Sequence, residues 1–415
     1  MIPVNEAINH IKRETFFLSS ETIDLCKSIN RVLAGEIRAD MDLPPFDRSQ
    51  MDGFAFRAED ANAAPVQLKI IGESVAGKGF DEEVRNGEAV RIMTGARVPA
   101  GANVVQKVEL TNEFEGFVEI IEPAKLKQNI IECGEEVRKG EKIFGKGEII
   151  TENMIASLAS FGYAKVKVFA KPQVSILATG SEIVNVSETP QKDQIRNSNS
   201  VMLKVFAEKA GADAHVLPLV EDNIENLKKQ IAFAVGSDNK SLYSKKDDKF
   251  QNPKSEILII TGGVSVGDYD FTKPALRELG AKIFFEKVSL KPGKPTVFAK
   301  LNDTLIFGLP GNPVSVAVTF FLFVRTAILL MQGTKNCELR KGFAVASGVI
   351  KGAKGRDSFL PVFVQTNEKG QLLIESLRFS GSSNFIAFTR ANALAFVPEN
   401  VVYEKGDVVG ILFLN

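Results

Sequence analysis

The chain has 415 residues, 44% apolar and 25% charged, and its 51 basic and 51 acidic side chains give a formal net charge of +0. That length exceeds what one hydrophobic core usually serves, so several domains are expected. The charge balance excludes the electrostatic footprint of a nucleic-acid or acidic-membrane binder.

No charged-then-apolar leader opens the chain, and a cytoplasmic protein is expected. Cys26, Cys133 and Cys337 lie far apart without metal-ligand spacing. They read as buried free thiols of a reducing compartment.

In chain order, Val4, Ala7, Ile8 and Ile11 share one helical face, which predicts a first helix that also carries His10. A second helical segment is expected over 20–33, and Pro44 and Pro45 in MDLPPFD forbid any helix beyond it. From about 50 to 144 the pattern changes to short strands and glycine turns: VQLKIIGESV, EAVRIMTG, NVVQKVEL and GFVEIIEP. Thr151 is expected to cap a helix bearing Met154, Ile155 and Leu158, with the strand KVKVF after it. The division predicted is therefore a helical unit built from 1–46 plus 147–170, interrupted by a mostly β module over 47–146.

From 171 to 332 the strands VSILATG, AHVLPLV, EILIITGG and TLIFGLPG alternate with amphipathic helical patterns near 202–210, 224–235 and 274–279. Alternation of this kind predicts an α/β domain with a parallel-rich sheet and a ligand site outside the carboxyl ends of its strands. The apolar run 314–331 is interrupted by Ser315, Thr319, Arg325 and Thr326 and follows a Pro-Gly-Asn-Pro turn. It reads as a buried core helix rather than a membrane span, with Asn312 at its cap and Pro313 in its first position. SDNKSLYSKKDDKFQNPK, over 237–254, is polar and aperiodic and reads as an exposed insertion. Over 333–415, strands such as FLPVFVQT and ALAFVPE predict a small C-terminal β-barrel-like domain. The fold class expected is thus multidomain α/β: a central parallel-rich α/β domain, an inserted β module, a small helical N-terminal part and a C-terminal barrel.

Four turns carry candidate chemistry. In TGGVSVGDYD, Gly262, Gly263 and Gly267 let backbone approach a ligand, and Ser265 with its neighbouring amides suits anionic oxygen. Asp268 and Asp270 fit a metal bridging carboxylates and phosphates, or equally an Asx-stabilised turn with an exposed helix cap. In VSLKPGKPTVF, Lys291 and Lys294 flank Pro292 and Gly293 on a stiff turn that suits phosphate or another oxyanion, or is a plain surface turn. GLPGNPVS adds Pro310, Gly311, Asn312 and Pro313 at the start of a helix, whose positive end favours an anion. ATGSE adds Gly180, Ser181 and Glu182, while Asp222 follows the second strand and can face the same crevice.

No turn matches GxGxxG or the P-loop, yet four at one sheet edge imply a phosphate-bearing ligand plus a divalent cation. In the β module, Asp47, Arg48, Ser49 and Asp52 of FDRSQMDGFAF and Thr94 of VRIMTGARVPAGAN form a separate cluster, although Asp52 before a glycine can also be a turn cap. His10 and His215 have no paired ligand or nucleophile nearby, and no GxSxG elbow supports a serine hydrolase.

PPFDRSQMDGFAF, GEAVRIMTGARVPAGANVV, GEEVRKGEKIFGKGEII, TGSEIV, IRNSNS, TGGVSVGDYDF, KPGKP and GLPGNPVS run nearly end to end. In their order and spacing the chain resembles the molybdopterin molybdenumtransferase family, which includes the E domain of gephyrin. The resemblance implies a four-part elongated homodimer in which the α/β domain binds the pterin and the partner subunit's β module helps enclose the cleft. It implies that adenylylated molybdopterin and molybdate are converted to molybdenum cofactor with release of AMP. It implies catalytic roles for Asp52, Thr94, Asp270, Lys291 and Lys294, and magnesium near Glu182 and Asp222. Ligand contacts are implied for the glycine turns named above and for Arg356 and Ser382. The molybdopterin adenylyltransferase and recipient apo-molybdoenzymes are the partners it suggests.

Four positions in three motifs depart from the family pattern. Ser181 stands where aspartate is usual, Pro361 where a second basic residue is common, and Ser383 and Ala387 where glycine and serine are typical. Two other readings of the same residues are a non-catalytic protein-binding scaffold and a metal-dependent phosphate-ester or nucleotide hydrolase.

Overall fold

The computed structural model describes residues 1–220, 223–236, 254–263, 271–377 and 385–414. At its centre is a six-stranded sheet in the order Asp213–Val216, Gln173–Ala178, Ile257–Thr261, Thr304–Leu309, Val297–Leu301, Lys282–Phe285. The first four strands are parallel and the last two are antiparallel additions. Every residue of Ile257–Thr261 and of Thr304–Leu309 is buried. Continuous apolar runs of this type form because helices cover both faces. Strand alternation then sorts the side chains: Ile257 and Ile259 join one core with Leu203 and Phe323, while Leu258 and Ile260 join another with Leu227, Ile231 and Leu276.

The first of these cores holds the Pro313–Met331 helix, which contains a π turn at Phe320–Val324. Among the described residues it is the one helix long and apolar enough to cross a membrane, and 83% of its most apolar window is buried inside the protein. Helix Val4–Glu14 packs on it through Val4, Ala7 and Ile11. His10 sits on that helix, and His215 on the strand Asp213–Val216.

The segment expected to be helical over 20–33 is different. Ser20–Asp24 is a strand, antiparallel to Lys165–Phe169, and only Leu25–Lys27 turns as a short 3₁₀ helix. Thr22 and Ile23 are β-branched and pair with Lys167 and Val166, so pairing to a strand far along the chain overrides the local helical pattern. Thr151 does precede helix Glu152–Ser160, but its side chain makes no capping hydrogen bond.

Between these segments lies a mixed sheet in the order Val104–Lys107, Gly53–Phe56, Glu88–Ile92, Val66–Ser74, Phe117–Ile120, Thr111–Phe114, closed over Phe54, Phe56, Leu68 and Ile120. The C-terminal strands run Asp357–Thr366, Leu372–Ser376, Lys341–Ala346, Val408–Phe413, Ala393–Val397, and the last pairs back to the first to close a barrel. The three cysteines are free, as expected, but Cys26 and Cys133 are exposed and only Cys337 is buried. Cys26 follows Leu25, which takes the buried position of that turn, and Cys133 lies between Glu132 and Gly134, so neither is drawn into a core.

Candidate ligand cleft

Three parallel strands end at glycine turns on the same side of the central sheet: Gln173–Ala178 before Gly180, Ile257–Thr261 before Gly262, and Thr304–Leu309 before Gly311. Together they border a cleft of about 930 Å³. Gly180, Glu182, Gly262 and Gly263 form one part of its wall, and Pro310, Gly311, Asn312 and Pro313 another. Ser181 is exposed on the first turn.

Two of the glycines are required by backbone conformation, and the second by close approach as well. Gly180 has φ +152°, and a Cβ there would lie 2.5 Å from Glu182 Oε2, so its bare backbone lets the carboxylate fold over the turn. Gly262 has φ +92°, and a Cβ there would overlap the Thr179 carbonyl oxygen. The first and second turns are thus packed backbone to backbone. Among the described residues, Glu182 is the only carboxylate in this wall. No group of three or more His, Cys, Asp or Glu side chains is gathered as a metal shell among the described residues.

A second cleft, of about 700 Å³, shares Pro295, Pro310 and Asn312 with the first, so the two adjoin. Lys291, Lys294, Lys351 and Arg356 bring four cations to its wall. Leu290–Lys291 is a two-residue strand, parallel to the barrel strand with Leu290 opposite Asp357 and Lys291 opposite Ser358. The Arg356 Nη1 donates to the Leu290 carbonyl at 3.5 Å. The lysine turn therefore belongs to two sheets' worth of scaffold, emerging from the α/β core and seated on the barrel.

Pro361 stands where that barrel strand has lost one neighbour. Residues 357–358 pair with Leu290–Lys291 and 362–366 with Leu372–Ser376, while the Ala393–Val397 strand covers 358–362 on the other edge. The open edge at 359–361 is a position that tolerates proline. Leu360, Pro361 and Val362 make an apolar side to the second cleft.

Asp52 and Thr94 come together on the β module. Asp52 Oδ1 accepts from the Thr94 amide and from Thr94 Oγ1, both at 2.7 Å. The backbone bond first, and the hydroxyl second, hold the Asp52 carboxyl below its ordinary range. Both residues are exposed, and neither lines the two clefts of this chain. Asp47 and Arg48 are engaged locally, Asp47 accepting from the Cys133 amide at 2.7 Å and Arg48 pairing with Glu136. Asp222, Ser265, Gly267, Asp268, Asp270, Ser382 and Ser383 lie outside the described residues, as does the 237–254 insertion except for Lys254.

One cleft residue was not singled out from sequence. Asn199, in the second position of helix Ser198–Lys209, lines the larger cleft and donates from Nδ2 to Thr261 Oγ1 at 3.2 Å and to the Gly311 carbonyl at 2.7 Å. Its neighbour Asn197 caps the helix by accepting from the Ser200 amide at 3.1 Å. The paired asparagines of IRNSNS were a helix-start signal, and only the cap role is predictable from that pattern.

A parallel sheet with glycine turns at its carboxyl ends, next to a cation-lined cleft closed by a barrel, defines an α/β binder of phosphate-bearing or oxyanionic ligands. Residues 2–162 match the family described as MoeA N-terminal region (domain I and II), 175–329 the one described as probable molybdopterin binding domain, and 344–414 the MoeA C-terminal region (domain IV). The chain belongs to the molybdopterin molybdenumtransferase family. It is 36% identical to the molybdopterin molybdenumtransferase of Bacillus subtilis over 100% of this chain and 94% of that one. Against the Haemophilus influenzae protein of the same name it is 35% identical, over 95% and 92% of the two chains. The crystal structure of a molybdopterin biosynthesis MoeA protein from Pyrococcus horikoshii superposes with a TM-score of 0.82 at 28% identity, covering 100% of this chain and 99% of that one.

Proposed function

We propose that this protein inserts molybdenum from molybdate into adenylylated molybdopterin and releases AMP. The observation that carries the reading is the junction of two clefts at Pro295, Pro310 and Asn312, one bordered by glycine turns and the other by four cations. Glycine turns suit a pterin–nucleotide diphosphate, whose oxygens need close backbone amides. Lysines and arginine suit a tetrahedral dianion held beside it. The curated relatives carry the corresponding name over almost their whole length.

In this reading Lys291 and Lys294 hold molybdate or phosphate oxygen, and Arg356 keeps the lysine turn seated through the Leu290 carbonyl. Glu182 offers a hard oxygen donor in the cleft wall, which fits magnesium together with Asp222 and substrate phosphates. When bound, that ion supplies neutralisation of charge at the phosphoanhydride. Asp270 is the carboxylate carried over from TGGVSVGDYD to position the hydrolytic water. Asp52, kept ionised by Thr94, lines neither cleft of its own chain, and we take it to serve the cleft of a second copy. The assembly proposed is therefore a symmetric homodimer with two composite sites. The three free thiols suit a cytoplasmic setting.

Reconstitution tests the reading. Purified protein is given adenylylated molybdopterin with molybdate or tungstate, and AMP and metal-loaded pterin are both measured. AMP and loaded cofactor in equal amounts are expected. Turnover of ordinary nucleotides without pterin would instead make the protein a hydrolase, and no turnover of either would leave a scaffold. Light scattering checks the assembly, because a monomer with full activity would refute the composite site.

A further inference from the structure

Three of the segments bordering the larger cleft come from far-separated parts of the chain, and one side chain joins them. Asn199 starts the helix that follows the first turn. Its Nδ2 donates both to Thr261 Oγ1, at the end of the second strand, and to the Gly311 carbonyl in the third turn. Thr261 is buried, and its hydroxyl passes the connection on by donating to the Pro310 carbonyl at 3.3 Å. A hydroxyl that accepts on one side and donates on the other polarises both bonds. Because a carbonyl oxygen can only accept, the Gly311 contact fixes which end of the Asn199 amide points towards the turn.

The other end of that amide is anomalous. Asn199 Oδ1 is buried and has no hydrogen-bond partner among the described residues. Buried acceptors are nearly always satisfied, and one left unsatisfied opposes folding. A side chain selected for stability alone would not keep that atom there.

We propose that Asn199 is the positioning residue of the larger cleft. Through Thr261 it sets the distance between the Gly262–Gly263 turn and the Pro310–Gly311 turn, so that both meet one phosphate-bearing ligand. Its contribution is to ligand geometry, and the unsatisfied Oδ1 offsets what its hydrogen bonds add to stability. The inference deepens the function proposed above and rests on it for the identity of the ligand.

The test uses the full-length protein with Asn199→Ala, Thr261→Val and the double variant. Asn199→Ala and the double variant are expected to melt within about 2 °C of wild type, since the lost bonds and the removed unsatisfied acceptor act in opposite directions, whereas Thr261→Val keeps that acceptor and should melt roughly 2–4 °C lower. Each single variant should raise KM for adenylylated molybdopterin, and the dissociation constant for 5′-AMP by calorimetry, about tenfold. The turnover number kcat should change less than about threefold, because both turns touch the ligand before as well as during reaction. If the two residues act through one connection, the double variant should again lose about tenfold rather than about a hundredfold.

A ligand-independent measurement separates this inference from the function it rests on. Hydrogen exchange in peptides covering 257–263 and 308–313 should quicken in Asn199→Ala, while the helix Val4–Glu14 stays as protected as in wild type. Unchanged exchange in those two peptides would overturn the positioning role even in an active enzyme. So would unchanged KM and AMP affinity, or a fall in melting temperature that accounts for the lost activity. Wild-type protein that neither binds AMP nor turns over would refute the function, and quickened exchange would still uphold Asn199 as the residue that spaces the turns.

Discussion

Replacing Gly262 by alanine probes the seam between the first two turns. A residue with a Cβ at φ +92° incurs about 1–2 kcal/mol of left-handed strain. The added Cβ also overlaps the Thr179 carbonyl oxygen, which is backbone and cannot swing aside as a side-chain tip would. Relief requires the turns to part by about an ångström, from overlap to ordinary contact. The Thr179 amide bond to the Thr261 carbonyl, 3.0 Å long, spans the same seam. Its weakening adds about 1 kcal/mol, for a total of about 2–3 kcal/mol.

Gly280→Ala is the control. Gly280 has φ +77°, but nothing lies within 4 Å of its added Cβ, so only the conformational part of about 1–2 kcal/mol applies. Urea unfolding followed by fluorescence of a bound probe, alongside AMP release under saturating substrate, compares the two variants. Gly262→Ala should lose about 1 kcal/mol more than Gly280→Ala and at least tenfold in turnover, whereas Gly280→Ala should turn over normally. Equal stability losses with normal turnover in both would refute the claim that the first two turns are packed backbone to backbone for the ligand's sake.

Thr94→Val removes the weaker of the two bonds to Asp52, so its carboxyl should rise part of the way towards an ordinary aspartate while the backbone bond persists. A depressed carboxyl pKa gives a contribution that is complete above the unfolded value and is lost as pH falls through the folded one. The acid limb of activity should accordingly move to higher pH in the variant, and carbon-detected titration of Asp52 checks the direction. Lys291→Ala and Lys294→Ala should each weaken molybdate binding by about tenfold with little change in melting, because both side chains are exposed on the turn. Calorimetry with molybdate reads the first effect, and a matching loss of thermal stability would contradict it. Asp270→Asn should cut single-turnover AMP release by about a hundredfold while pterin content changes much less, and near-normal release would remove Asp270 from the catalytic set.

Much of the central sheet was legible because its strands are continuous apolar runs, a pattern set by burial on both faces. QVSILA, ILIIT and TLIFGL need no knowledge of their neighbours to be recognised. Their glycine turns were legible for the same reason, since each follows such a run directly. Ser20–Asp24 was not, because its strand character comes from Lys165–Phe169, which no local window contains. The pairing of Lys291 with Ser358 was equally hidden, and only the charge of the lysine turn could be read. Asn199 shows a third limit. An asparagine near a helix start announces a cap, but that role falls to Asn197, and the bonds of Asn199 to Thr261 and Gly311 depend on how three distant segments converge.

The two-residue strand Leu290–Lys291 bears on how such a chain can be cut or recombined. Sequence punctuation near Gly333 suggests a clean joint, with everything before it autonomous and everything after it interchangeable. Main-chain pairing to Asp357 and Ser358 crosses that joint, and so does the Arg356 bond to the Leu290 carbonyl. A chain truncated at the joint would keep its sheet and its glycine turns, yet its lysines would have no floor. A transplanted barrel would work only if it carried an edge able to receive those two residues in the same register. The modular unit for exchange between relatives is thus the lysine turn together with the barrel, although residues 295–332 of the core separate them along the chain.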